Sequence, residues 1–367
     1  MSLFPPVSCP RLVVKIGSAL LVDAAGGVRR DWLGGIVADI ATRQRDGQQV
    51  VIVSSGAIAL GARRLALAKA GRATLEDAQA AAAVGQIALS QIWAEILGTE
   101  GITAAQMLVT LGDLEDRRRY LNASATLDRL LSLGVVPVIN ENDSVATAEI
   151  RFGDNDRLAA RVAQAAGAHG VVLLSDVDGL YDRNPVVPDA VHIARVDRID
   201  GAIEAMADRG SASGMGSGGM VSKIAAARIA NAAGANLAIA SGRVDRPLSG
   251  GDRHTLFVAE KSASARKAWL AGGLTTSGRV TIDRGAAEAL RAGNSLLAAG
   301  VTAISGDFAR GDLVAIDSPD GPVARGLAEY DAADALLLLG TRREEQAALL
   351  GYAPRAAFVH RSHMALL

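Results

Sequence analysis

The sequence predicts an α/β fold, a mainly parallel sheet sandwiched by helices, followed by a smaller β-rich C-terminal domain. From about Arg11 to Ala240, short apolar runs alternate with longer Ala-rich periodic segments. That is the pattern of parallel strands covered on both faces by helices. Five of the apolar runs lead directly into polar clusters, at the carboxyl ends where such sheets collect their ligands. Beyond Glu260 the text changes to short strands and turns.

In chain order, LVVKI from Leu12, VVIVS from Val50, VVPVIN from Val135, VVLLS from Val171 and NLAIA from Asn236 read as buried strands. Helical periodicity covers residues 31–44, 75–97, 116–133, 154–166 and 223–233. The late strands are GRVTID from Gly278, VTAIS from Val301, DLVAID from Asp312 and PVARGLAEY from Pro322. The expected organisation is a first domain over 1–260, a linker over 261–276, a second domain over 277–355 and a tail over 356–367.

A chain of 367 residues has room for two or three cores. Half of it is hydrophobic, 21% is charged and the formal net charge is -1, which argues against disorder and against global attraction to nucleic acid. With Cys9 the single cysteine, neither an intrachain disulfide framework nor a Cys-rich metal site can form. No basic region followed by a long apolar run opens the chain, and VVIV and LLLL are too short to cross a bilayer. A cytoplasmic protein without membrane contact is expected.

The polar clusters carry the chemistry. Lys15 ends an apolar run just before Gly17 and Ser18, either snorkelling to the sheet edge or facing an anion. Ser54, Ser55 and Gly56 precede a helical period, where capping competes with anion binding. SGMGSGGMVSK, from Ser213, offers backbone amides from Gly214, Gly216, Gly218 and Gly219, with Lys223 at the following helix. It is not a Walker A loop, since Ser222 precedes the lysine and Ile224 follows it. In SDVDGLY, Asp176 and Asp178 flank a turn that serves a nucleotide or only solvent. INENDSVATAEIRFGDNDR crowds Glu141, Asp143, Glu149, Asp154 and Asp156 without the spacing of an EF-hand. Helix-dipole capping accounts for one of Asp154 and Asp156, but not for both.

These motifs in this order, with AAVGQ, QMLVT, DLEDRRRYLNA and GDFARGDLVAI, resemble the glutamate 5-kinase branch of the amino-acid kinase family followed by a PUA domain. The resemblance covers nearly the whole chain. It implies phosphoryl transfer from ATP, with Mg2+, to the γ-carboxylate of L-glutamate in proline synthesis, and it implies a homo-oligomer, a dimer or tetramer, with proline as a feedback inhibitor. By the same resemblance Lys15, Ser175, Asp176, Ser217, Gly218, Gly219, Met220, Val221, Ser222 and Lys223 fall at ATP positions. Ser55, Asp143 and Asn155 fall at glutamate positions, and Lys15, Lys223, Asp154 and Asp156 at catalytic ones. The family commonly has Thr where this chain has Ser175, Ser217 and Ser222, a change that keeps the hydroxyl. Direct metal ligands are not assigned.

The expected chemistry needs no general base, because the acceptor carboxylate is already ionised at neutral pH. Accordingly, His169, His192, His254, His360 and His363 lie outside every motif. A competing reading takes the C-terminal domain as an RNA binder through Arg279, Arg284, Arg291 and Arg310. Interleaved Asp283, Glu288, Asp307 and Asp312, and an aromatic content of 3%, disfavour it. A third reading is a related kinase acting on another carboxylate or on carbamate.

Overall fold

A computed structural model describes residues 3–23, 27–145, 155–208, 219–249, 253–259 and 276–367. Asp154, Ser217 and Gly218 lie outside the described residues, as do Glu149, Gly214, Gly216 and nearly all of the expected linker. The chain divides into two compact units, Met1–Glu115 with Ala123–Lys261, and Asp116–Asn122 with Ser262–Leu367.

Up to residue 145 the elements are β1 (Arg11–Ile16), α1 (Ser18–Leu21), α2 (Arg30–Arg45), β2 (Gln49–Ser54), α3 (Ala57–Arg64), α4 (Leu75–Gly98), β3 (Ala104–Val109), α5 (Leu111–Glu115), α6 (Arg117–Ser132) and β4 (Val136–Glu141). There follow α7 (Asn155–Ala166), β5 (Gly170–Ser175), β6 (Leu180–Tyr181), β7 (His192–Ile193), β8 (Arg195–Val196), α8 (Gly201–Asp208), α9 (Met220–Ala232), β9 (Asn236–Ser241) and β10 (His254–Phe257). The five expected buried strands are β1, β2, β4, β5 and β9. β3 was not foreseen: its AAQMLV carries a glutamine and alternates in burial, as an edge strand does.

The eight-stranded sheet runs β3-β4-β2-β1-β5-β9-β10-β8. β1 pairs in parallel with β2 on one side and β5 on the other, so that Ile16 stands level with both Ser54 and Leu174. After β1 the chain first builds one side of the sheet and then returns to the other. β1 is therefore the topological switch point, where a crevice opens beyond the strand ends. β10 departs from the parallel rule, running antiparallel to β9.

Leu12, Val14 and Ile16 pack with Ile52, Leu33, Ile36, Trp93 and Leu97 in one core, each such side chain contributing roughly 1.5–3 kcal/mol of burial. α4 is long and apolar enough to cross a membrane by length and composition alone, a segment not weighed beside VVIV and LLLL. Its Leu89, Trp93 and Leu97 are fully buried in this core, and Trp93 Nε1 donates to Ser54 Oγ at 2.9 Å. It is a core helix of the sheet unit.

The second unit holds a five-stranded sheet, β12-β11-β13-β14-β15, from β11 (Gly278–Ile282), β12 (Val301–Ser305), β13 (Leu313–Ser318), β14 (Gly321–Leu327) and β15 (Met364–Leu366). Its own core joins Val280, Ile316, Phe308 and Phe358. Residues 356–367, read from the sequence as a tail, instead supply buried Phe358 and Val359 and the edge strand β15, which pairs antiparallel with β14. The segment is short and follows a Pro-containing stretch, so its pairing leaves no periodic mark.

Candidate active site

At the switch point two lysines meet one carboxylate. Lys15 Nζ lies 2.6 Å from Asp156 Oδ1, and Lys223 Nζ lies 2.8 Å from Asp156 Oδ2. Lys15 comes from the carboxyl end of β1, Asp156 from the first turn of α7 and Lys223 from the first turn of α9. All three are buried, Asp156 to 1% exposure. Burial by itself pushes the Asp156 carboxyl up, but the two ammonium groups outweigh it and hold the group below its ordinary range. Lys15 and Lys223 thus share the two oxygens of one buried aspartate.

The local backbone adds to this. α9 starts at Met220, about one turn earlier than its expected start at 223, so Lys223 lies within the first turn rather than at the helix's first residue. Gly219 caps α9 without a side-chain hydrogen bond, and no acidic residue occupies the first turn. A helix start of this kind favours an approaching anion. A Cβ at Gly17 would stand 3.8 Å from Lys15 Nζ, so the bare backbone there borders the ammonium.

Beside the charged group runs a chain of amides. Asn155 Nδ2 donates to Ser55 Oγ at 2.6 Å and to Asn140 Oδ1 at 3.0 Å, and Asn140 Nδ2 donates to Gln86 Oε1 at 2.9 Å. Asn155 and Asp156 are sequence neighbours, so one helix start ties the amide chain to the lysines. Gly56 makes this possible from the other side. Its φ of +123°, open to glycine, turns the chain from β2 into α3 and sets Ser55 toward Asn155.

A small recess is lined by Ser18, Ser55, Gly56, Arg72, Asn140, Asp143 and Asn155. It shares Asp143 with a cleft of about 310 Å³ bordered by Gln86, Gln106, Glu141, Asn142 and Ser144. Asp143 Oδ1 and Asn155 Oδ1 are buried and have no hydrogen-bond partner among the described residues. Burial pushes the Asp143 carboxyl up to about 6, with Arg72 opposing the rise. A larger open cleft of about 530 Å³, by Asp182, Arg183 and Met206, contains none of these groups.

The structure thus brings Lys15, Asp156 and Lys223 into contact and gathers Ser55, Asp143 and Asn155 around one recess. Ser175 and Asp176 stand at the end of the neighbouring β5, the Ser175 hydroxyl donating to Asp176 Oδ1 at 3.1 Å. Gly219, Met220, Val221 and Ser222 form the cap and first turn of α9. Sequence reasoning missed Gln86, Asn140 and Arg72. The first two lie inside the quoted AAVGQ and INEND strings, whose patterning held the signal, whereas Arg72 sits in AGRATL, which carries no motif.

Known proteins share this architecture. The amino acid kinase family matches residues 10–241, and the PUA domain matches residues 278–345. The glutamate 5-kinase of Sphingopyxis alaskensis is 79% identical over 368 residues, covering 100% of both chains. That of Zymomonas mobilis subsp. mobilis is 62% identical, covering 100% of this chain and 94% of its own. A carbamate kinase from Giardia lamblia, bound to AMP-PNP, covers 68% of this chain and 99% of its own at 14% identity and a TM-score of 0.50, a likeness of fold. A mostly parallel sheet flanked by helices, a second strand-rich sheet and full-length likeness at this identity agree, and the chain belongs to the glutamate 5-kinase family, amino acid kinases with a C-terminal PUA domain.

Proposed function

We infer that the chain transfers the γ-phosphoryl group of ATP to the γ-carboxylate of L-glutamate, giving the γ-glutamyl phosphate used in proline synthesis. The observation that carries the chemistry is the buried Lys15–Asp156–Lys223 group, two ammonium groups on one carboxylate, beside a recess lined by Asp143 and amides. The full-length likeness to glutamate 5-kinases supports the choice of substrate.

In this reading an oxygen of the substrate γ-carboxylate attacks the γ-phosphorus. The bond from that phosphorus to the β,γ-bridging oxygen breaks, and the electron pair leaves on ADP. Repulsion between two anions is the main obstacle, so the site acts by alignment and charge neutralisation. Lys15 and Lys223 face the phosphate oxygens, and Asp156 holds their ammonium groups in place; Asp154 is assigned to the same task. Asp143 takes the substrate ammonium, and Ser55 and Asn155 hold its other polar groups. ATP is assigned to Ser175, Asp176 and the segment 217–223, with its phosphates over the start of α9.

Magnesium is the expected companion of the ATP phosphates, whose charge it would offset. Both oxygens of Asp156 already meet lysines, and no cluster of three His, Cys, Asp or Glu able to hold a metal occurs among the described residues. Asp156 therefore does not fit as a metal ligand. A cytoplasmic location, self-association and inhibition by proline complete the proposal.

The test compares glutamate, aspartate and acetylglutamate as acceptors in acceptor-dependent ATP consumption. Glutamate should be strongly preferred, and Lys223→Ala should lower kcat by roughly 100-fold or more with the far-UV spectrum retained. Equal turnover on aspartate or acetylglutamate would sink the substrate assignment, and near-normal turnover in the variant would remove Lys223 from the mechanism.

A further inference from the structure

Resting on the reading above, we propose that Arg72 is a specificity-determining residue that binds the α-carboxylate of the amino-acid acceptor. An amino acid that presents its side-chain carboxylate to the phosphate carries two further charges into the recess, an ammonium and an α-carboxylate. Asp143 answers the first. For the second, the recess offers Ser18, Ser55, the amides of Asn140 and Asn155 and, among the described residues, a single cation, Arg72.

The other cations nearby are committed. Lys15 and Lys223 each hold an oxygen of Asp156. Arg72 is exposed and has no ion pair or side-chain hydrogen bond among the described residues, so its guanidinium is available to a ligand. It is also well placed to stay at the recess. The turn before it is pinned between α3 and α4, where a Cβ on Gly71 would come within 2.8 Å of the Ala62 methyl and 3.2 Å of the Ala81 methyl. The Arg72 amide closes that turn on Lys69 O at 3.1 Å. A planar fork with several donors suits a carboxylate better than a point charge would.

The arrangement also explains why Arg72 does not simply pair with Asp143. Were the two joined in a close ion pair, Asp143 would lose the oxygen it needs for an ammonium. Instead Asp143 Oδ1 is buried without a hydrogen-bond partner among the described residues, and Arg72 acts on the carboxyl only through its field. Acid and base thus line one recess without a direct bond between them among the described residues.

The experiment measures steady-state kinetics of the full chain and of Arg72→Ala and Arg72→Lys on L-glutamate and on its α-amide, which keeps the ammonium and the γ-carboxylate. Arg72→Ala should raise KM for glutamate roughly tenfold or more, change kcat by less than about threefold and leave KM for ATP unaltered. On the α-amide it should match the unaltered chain, and Arg72→Lys should recover part of the loss on glutamate. An unchanged KM for glutamate, or an equal penalty on both acceptors, overturns the assignment. If the unaltered chain fails on glutamate, the kinase reading itself falls and takes this inference with it.

Discussion

At Asp143 the cost of burial exceeds the help of the nearest cation, and the carboxyl titrates at about 6 rather than near 3.8. A group whose folded pKa is raised in this way favours the neutral form in the folded chain. Its contribution to stability is present at pH below about 4 and is lost as the pH rises through about 6. Asp143→Asn should therefore be more stable than the unaltered chain by roughly 1–3 kcal/mol at pH 7, with the difference vanishing at low pH. Urea unfolding from pH 4 to 8 checks this, and a pH-independent difference would contradict it. The same titration predicts that KM for glutamate climbs as the pH falls below about 6, because the protonated acid no longer answers an ammonium. At this scale the sequence was uneven. Lys15, Asp156 and Lys223 stood in strings with recognisable composition, whereas Arg72, in a stretch without a motif, joined the recess only through the packing of α3 and α4.

Helices α3 and α4 show how the packing of two elements shapes the recess. A Cβ on Gly85 would stand 1.8 Å from Ala57 O, and one on Gly61 would stand 1.8 Å from Ala81 O, so the two helices pack backbone to backbone. That approach brings the loop of Ser55 and Gly56 to the side chain of Gln86, and through Asn140 and Asn155 it completes the amide chain. Gly85→Ala must force the helices apart and should cost about 2 kcal/mol or more. It should also raise KM for glutamate more than KM for ATP. A thermal melt paired with the two Michaelis constants checks it, and equal effects on both substrates would show that the helix pair does not set the acceptor recess. The helices themselves were legible from their periodicity. Their separation was not, since a glycine reads the same in a helix whether or not another backbone lies against it.

Across the whole molecule, charge bears on the RNA reading of the C-terminal unit. The four arginines that made an RNA reading worth weighing are largely met within their own unit. Arg279 pairs with Asp317, Arg284 lies 3.3 Å from Asp320, and Arg310 lies 3.3 Å from Glu329. Together with a net charge of -1 this leaves little excess to release counterions from a phosphate backbone. The full chain should show no mobility shift with a mixed-sequence single-stranded RNA at about 50 mM salt. A shift that weakens steeply as salt rises would restore the RNA reading.

The sequence by itself determined the parallel α/β class, the order of the five buried strands and the strings in which most site residues lie. Those properties follow from periodicity and from the chemistry of turns, which are local along the chain. Only the tertiary structure decided that Lys15 and Lys223, separated by most of a domain, share the two oxygens of one aspartate. It also turned Asn140 and Arg72 toward the same recess, with Gln86 accepting a hydrogen bond from Asn140, and made an edge strand of residues 364–366. These outcomes depend on which distant surfaces exclude water together, and burial of that kind leaves no local mark in the text.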